Sequence, residues 1–325
     1  MSERLSDYEF ELPRELIASR PLPDRAASRM MVVDRAAGTI THRMFRELPQ
    51  FMRAGDLLVL NNSRVIPARL LTEDGKIEIL VFEKFPDGRW RAFARPGKRT
   101  LPGAAIAIAG TTAHIEEVDG ADGTRIVRFD REPDFEAFGH MPIPPYLGRE
   151  DDEEDRVRYQ TVYAKVAGSV AAPTAGLHFT PEILAQLPHA FVTLHVGPGT
   201  FLPVRTDDLT EHRMHSEEFE VSAESADAIN AASRLVLVGT TTLRVLESLP
   251  AGPVRPGNGS TDIFVRPGFD FKRTGALLTN FHLPKSTLFV LVCALGGNDL
   301  MREAYAQAVR ERYRFFSYGD CMLIL

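Results

Sequence analysis

Leu235-Val236-Leu237-Val238-Gly239-Thr240-Thr241-Thr242-Leu243-Arg244-Val245-Leu246-Glu247-Ser248-Leu249 is the stretch that decides the fold of this 325-residue chain. Leu235 to Val238 is a short, continuous apolar run, the mark of a strand buried on both faces. Gly239 ends it, and Thr242 to Leu249 has the spacing of a helix. Strand, polar turn and helix in immediate succession make the repeating unit of an α/β sheet. The same alternation extends in both directions. Asp56 to Leu60 reads as a buried strand entering the turn Asn61-Asn62-Ser63, and Phe191 to Val196 reads as another strand. Thr180-Pro181-Glu182 is a helix start, with a capping hydroxyl, proline in the first turn and an acid near the dipole. Ser222 to Ser233, Ser286 to Leu295 and Leu300 to Tyr313 read as helices, the last capped by Asn298 or Asp299.

Between Arg64 and about Phe129 the texture changes. Ile77 to Phe82, Trp90 to Ala94, Ala104 to Ala109, Ala113 to Val118 and Arg125 to Phe129 are short strands divided by Gly, Pro and Asp turns. Such close spacing without a helical period implies a small barrel or sandwich. Gly139 to Gly148 is a proline-rich connector, and the acidic run Glu150 to Asp155 reads as a solvated linker. The expected fold is therefore α/β, a largely parallel sheet with helices on both faces and an inserted small β-barrel domain. Residues 1–62 and 151–325 would form a discontinuous catalytic domain around the insert at 63–150.

Composition narrows the class. Hydrophobic residues at 44% and charged residues at 25% are those of a soluble globular protein. The longest apolar run, Leu288 to Leu295, is far short of the roughly 20 residues of a membrane helix, and the polar N-terminus lacks a secretory pattern. No membrane association is expected. Cys293 and Cys321 sit in apolar surroundings with no disulfide or metal spacing, which fits a reducing cytoplasm. A formal charge of −6 disfavours a wholly basic nucleic-acid binder, although local arginine patches suit phosphate. No motif fixes the oligomeric state, and a monomer is the default expectation.

Four loops rich in Gly, Thr and His carry the chemistry. They are Gly168 to Thr180, Thr193 to Phe201, Gly239 to Thr242 and Thr279 to Thr287. Two follow strands directly, and open α/β sheets bind ligands beyond the carboxyl ends of their strands. His178 and His195 lie in these loops, where an imidazole could move a proton near neutral pH. His282, beside Asn280 and ahead of Lys285, forms a third group. His212-Arg213-Met214-His215-Ser216-Glu217 could hold a metal but lacks further ligands in fixed register. Glu217 and Glu218 could instead meet a substrate amine or orient His215. Gly-Thr-Thr-Thr before a helix resembles a phosphate cradle. It lacks the Gly-Lys-Ser/Thr ending of a P-loop, and no Gly-x-Gly-x-x-Gly follows a strand. Tyr313 to Asp320 interleaves aromatics with Arg314. It reads mainly as a C-terminal core strand, with Arg314 and Asp320 as exceptions.

Several long motifs in one order are similar to the S-adenosylmethionine:tRNA ribosyltransferase-isomerase family of queuosine biosynthesis. They include Tyr8 to Pro13, Val59 to Arg69, Arg95 to Lys98, Met141 to Tyr146, Arg158 to Tyr163, the four loops, and Tyr313 to Ile324. This sequence departs from the family pattern at Pro198, where Leu is usual, at Ser260, where Trp commonly precedes Thr261-Asp262-Ile263-Phe264, and in the shortened turn Thr72 to Lys76. The resemblance implies that the ribosyl part of S-adenosylmethionine is transferred to 7-aminomethyl-7-deazaguanine (preQ1) at the tRNA wobble position. Isomerisation to an epoxycyclopentane gives epoxyqueuosine, adenine and methionine. S-adenosylmethionine is then a consumed co-substrate, and no metal is implied.

That chemistry needs a base for the acidified methylene beside the sulfonium and help for departing adenine. His195 or His178 would be the base, with His282 or His215 assisting the leaving group. Ser169, Thr174, Gly176, Gly197, Gly199, Thr240, Thr241 and Thr242 would hold the nucleoside and methionine tail. Asn62, Arg64, Arg314 and Asp320 would read the deazaguanine or tRNA backbone, and Arg64, Arg69, Arg95, Lys98 and Arg99 would form a basic RNA face. Two other readings are a non-catalytic RNA-binding protein of the same fold, and a metal hydrolase using His212, His215 and Glu217.

Overall fold

A computed structural model describes residues 3–120, 122–197, 199 and 206–325. A nine-stranded sheet forms its centre. Across the sheet the strands run Gly257–Thr261, Glu217–Val221, His189–Leu194, Asp56–Asn61, Arg234–Val238, Ala276–Asn280, Cys321–Ile324, Arg29–Asp34 and Thr39–Met44. The middle four, from His189–Leu194 to Ala276–Asn280, are mutually parallel. Cys321–Ile324 enters antiparallel to Ala276–Asn280, and Arg29–Asp34 lies parallel to it. Both outer pairs at the Gly257 edge and the Thr39 edge are antiparallel. The sheet is thus mixed around a parallel centre, a correction to the largely parallel sheet expected. The cause lies in the connections. A hairpin joins Arg29–Asp34 to Thr39–Met44, and hairpins force antiparallel pairing.

Alternation in the central strands divides the core in two. Leu57, Val59, Leu237 and Leu277 face one side with Ile229, Leu243, Val245, Leu246, Phe289 and Met301 from helices Ala223–Ala231, Thr240–Ser248, Thr287–Gly296 and Asn298–Arg310. Leu58, Leu60, Val236 and Leu278 face the other side with Phe45, Leu48, Phe179, Ile183 and Leu184. Long helices therefore cover one face, and short 3₁₀ turns and the four-residue helix Pro181–Leu184 cover the second. This departs from the expectation of helices on both faces. The crossover from Asp56–Asn61 to His189–Leu194 carries the second sheet in place of a long helix. Thr180 does cap Pro181–Leu184, accepting from the Ile183 amide at 3.4 Å.

The second sheet is antiparallel and six-stranded, in the order Arg69–Leu71, Glu78–Lys84, Trp90–Arg95, Arg125–Phe129, Thr111–Val118 and Ala105–Ile108. All six strands send side chains into one core, from Leu70 at one edge to Ile106 and Ile108 at the other, so the sheet curls into a barrel-like shape. Ser63–Val65 pairs with Val166–Ser169 where the chain leaves and re-enters the large sheet.

Two segments differ from their reading. The acidic run is largely exposed, as expected of a solvated stretch, but it starts a helix and buries one acid instead of forming a plain linker. Asp152 caps helix Glu153–Arg158, and buried Asp155 accepts two bonds from Arg149 and one from Tyr318. Tyr313 to Asp320 forms a loop, and the C-terminal strand is Cys321–Ile324.

Candidate active site

At the carboxyl ends of the four parallel strands the chain turns through Asn61-Asn62, His195-Val196, Gly239-Thr240 and Phe281-His282. A cleft of about 620 Å³, including its open mouth, lies there. Thr174, Val196, Thr240, Thr241, Asn280 and His282 line it, so residues from all four Gly- and Thr-rich loops meet in one place. Tyr146, Tyr159, Phe316 and Ser317 complete the wall. These four aromatic and hydroxyl residues were not singled out from the sequence as site residues. Tyr146 stacks edge-on to Phe316 with centroids 4.1 Å apart and hydrogen-bonds Ser317. Phe316 holds a φ of 74°, costly for an aromatic residue. Its amide donates to the Phe281 carbonyl and its own carbonyl accepts from Asn280, which fixes the strained turn.

Helix Thr240–Ser248 points its N-terminus at the cleft. Its cap is Gly239, with φ 87° and no side chain to accept from the first-turn amides. The Thr242 hydroxyl is spent on the Val238 carbonyl at 2.8 Å. The Thr241 hydroxyl and the Asn280 side-chain oxygen are buried and have no hydrogen-bond partner among the described residues.

The histidines occupy different surroundings. Asn280 Nδ2 donates to the Phe316 carbonyl at 3.1 Å, so the amide nitrogen faces that side. The same nitrogen reaches His178 Nε2 at 3.3 Å, which must then accept. His178 Nδ1 consequently donates to Ser28 Oγ at 2.9 Å, and the Ser28 hydroxyl donates to the Arg25 carbonyl at 3.3 Å. Burial, followed by the charges of Arg25 and Arg314, lowers the His178 pKa to about 3. His282 Nε2 meets Thr279 Oγ1 at 2.9 Å, and burial lowers its pKa to about 3 as well. Both imidazoles are neutral at pH 7.

His195 is only half buried. Desolvation lowers its pKa, and Glu218 and Glu220 oppose the shift. It lines a neighbouring open trough with Thr193, Glu218, Glu220, Asn258 and Ser260, while the next residue, Val196, lines the cleft. Gly168 packs on the ring so closely that a Cβ there would lie 2.7 Å from it. His215 is exposed and touches neither cavity, and Gly199 packs on its ring.

Other expected residues serve the frame. Ser169 Oγ donates to Ser63 and accepts from the Val196 amide. Asn62 accepts from Thr193 Oγ1. Gly176 lies where a Cβ would fall 2.0 Å from Tyr163 Oη. The Gly197 amide donates to Glu217, which also pairs with Arg244 in a buried ion pair. Asp320 accepts from the Arg29 and Arg314 amides, both at 2.8 Å, and burial raises its pKa. Arg69 is enclosed by Glu78, Glu150 and Asp151. Arg95 also pairs with Glu78, exposed Arg64 lies 3.6 Å from Glu136, and Lys98 and Arg99 are exposed. Pro198 lies outside the described residues, and no cluster of three metal-ligating side chains occurs among those described.

A family model of queuosine biosynthesis proteins matches residues 5–324. The chain is 51% identical to the S-adenosylmethionine:tRNA ribosyltransferase-isomerase of Symbiobacterium thermophilum, over 99% of this chain and 100% of that relative. It is 48% identical to the protein of the same name from Clostridioides difficile, over 98% of each. The crystal structure of S-adenosylmethionine tRNA ribosyltransferase from Thermotoga maritima superposes with a TM-score of 0.55 at 37% identity, covering 98% of this chain and 100% of that one. With its parallel-centred sheet, barrel-like second sheet and end-to-end sequence match, this chain belongs to the queuosine biosynthesis protein family.

Proposed function

We propose that the chain transfers the ribosyl part of S-adenosylmethionine to the aminomethyl group of 7-aminomethyl-7-deazaguanine in tRNA. The sugar is isomerised to the epoxycyclopentane of epoxyqueuosine, and adenine and methionine leave. The observation that carries this reading is the full-length likeness to enzymes of that name. S-adenosylmethionine is consumed, and the residues proposed below supply the proton chemistry. Free Cys293 and Cys321 suit a cytoplasmic reaction, and a monomer remains the default reading of the oligomeric state. Residues 63–150, with a core largely their own, are read as the unit inserted between 1–62 and 151–325.

The cleft suits the co-substrate. Uncapped amides at the start of helix Thr240–Ser248 favour a carboxylate, here that of the methionine tail. The unpartnered Thr241 hydroxyl and Asn280 oxygen, with Thr174, would take the nucleoside. The base is assigned to His195. A general base works best with a pKa near the working pH, and burial makes His178 and His282 weak bases. His282 would instead hydrogen-bond the departing adenine, and His178 would position Asn280. His215 would act only if its loop moved. Exposed Arg64, Lys98 and Arg99, with Arg95, would meet RNA phosphates, while Arg69 would hold the barrel-like sheet to Glu150.

The test combines purified protein, S-adenosylmethionine and tRNA bearing preQ1. Mass spectrometry of the digested nucleosides should find epoxyqueuosine, and the supernatant should contain adenine. Tight tRNA binding with neither product would favour a binding protein instead. Single-turnover assays of His195→Ala should lose about 10²–10⁴-fold in rate, and a loss below tenfold would remove His195 as the base.

A further inference from the structure

Beside the cleft lies a smaller pit, about 270 Å³ including its open mouth, whose walls include Arg25, Arg158, Ser28, His178, Ser317 and Tyr318. Ser317 lines both cavities, and the Asn280–His178 hydrogen bond joins their walls.

The pit has an excess of positive charge. Arg25 makes no ion pair among the described residues and donates to the carbonyls of Leu177 and Val157. Arg158 donates to the carbonyls of Leu22 and Pro23, its Nε is buried with no hydrogen-bond partner among the described residues, and Glu154 approaches it to 3.9 Å. Arg314 lies outside the lining; it binds the Arg20 carbonyl, forms no ion pair among the described residues, and has a buried Nη1 with no hydrogen-bond partner among them. Nearby acids are committed elsewhere: Asp155 to Arg149 and Tyr318, Asp24 to Arg46, and Asp320 to two backbone amides. Each guanidinium has five N–H donors and spends at most two on these carbonyls. Half-buried guanidinium groups without a counter-ion favour an oxyanion that replaces lost hydration.

We propose that this pit binds a phosphodiester group of the RNA substrate, adjacent to the nucleotide held in the cleft. The assignment rests on the tRNA-modifying reading above. The pit is too small for a nucleoside, so a phosphate would be held at its open mouth, and the wall shared with the cleft would put it next to the reacting nucleotide. Free inorganic phosphate has the same chemistry, so the test separates the two sources.

The experiment measures binding of an anticodon stem-loop RNA to the full chain by fluorescence anisotropy across a range of KCl concentrations. Wild type, Arg25→Gln and Arg158→Gln are compared, using RNAs that carry one neutral methylphosphonate at successive positions around the wobble nucleotide. One position should weaken wild-type binding several-fold, and the same substitution should add nothing in Arg158→Gln. The slope of log affinity against log salt should become shallower by about 0.7 in that variant. If every methylphosphonate position leaves wild-type affinity unchanged while unmodified RNA binds, the pit assignment is wrong and the reaction assignment survives. If wild type fails to bind the RNA, both fall. Inorganic phosphate raising the wild-type Tm through Arg158, with no methylphosphonate effect, would make the pit a free-phosphate site and also overturn the proposal. Arg25→Gln should abolish the same positional effect, so misfolding of one arginine variant leaves the other to decide, and an effect that persists in both would place that phosphate elsewhere and overturn the proposal.

Discussion

Acidification should destabilise the folded chain through His178 and His282 well before its carboxylates protonate. Both imidazoles have pKa values lowered from 6.5 to about 3 by burial, with Arg25 and Arg314 adding to the effect at His178. The folded state therefore resists protons that the unfolded chain accepts. This contribution to stability is complete above pH 6.5 and is lost progressively as pH falls toward about 3. Each histidine costs the folded state about 1.4 kcal/mol per pH unit in that window, hence about 2 kcal/mol at pH 5. Urea unfolding followed by circular dichroism at pH 7 and pH 5 measures the loss. His178→Gln and His282→Gln remove one titrating group each, so each variant should lose about 2 kcal/mol less than wild type between the two pH values. Taking the difference cancels common carboxylate effects, including that of Asp320. Losses equal in variant and wild type would refute the neutral, locked state. They would also restore both residues as candidate bases.

Thr241→Val should remove an unsatisfied buried hydroxyl, raising stability by about 1 kcal/mol while weakening S-adenosylmethionine binding several-fold. Calorimetry of folding and binding checks the opposite signs, and a loss of stability would show that the hydroxyl is already satisfied. Arg244→Met leaves Glu217 buried without its partner and should cost about 3–5 kcal/mol in urea unfolding. A cost under about 1 kcal/mol would show that the pair is hydrated. Gly168→Ala must accommodate both a φ of 144° and a Cβ 2.7 Å from the His195 ring. It should lower kcat more than it raises KM, and unchanged kcat would separate His195 from the chemistry.

Much of the site could be read from the chain because strand ends announce themselves locally. Val238-Gly239 and the polar turns after Asn61 and Leu194 follow short apolar strands, and the sheet brings those ends together. The individual roles were less legible. Whether a histidine is a base depends on depth and on partners far away in sequence, such as Asn280 for His178, 102 positions along. Direction within the sheet was equally hidden. Cys321–Ile324 has the apolar texture of its parallel neighbours, and only tertiary packing reverses it against Ala276–Asn280. Polar runs misled for a related reason. Most of Glu150 to Asp155 is exposed, but Asp155 is buried by Tyr318 from a distant segment and by neighbouring Arg149, and Arg69 reaches Glu150 from the barrel-like sheet. The pit is least visible of all, since Arg25 and Arg158 come from two distant stretches.

The central claim is most directly tested with S-adenosylmethionine labelled with carbon-13 in its ribose and, separately, in its methyl group. The account predicts ribose label in the modified wobble nucleoside, methyl label only in free methionine, and adenine released in equal amount. Methyl label in the RNA, or release of adenine without ribose label in the nucleoside, would contradict it.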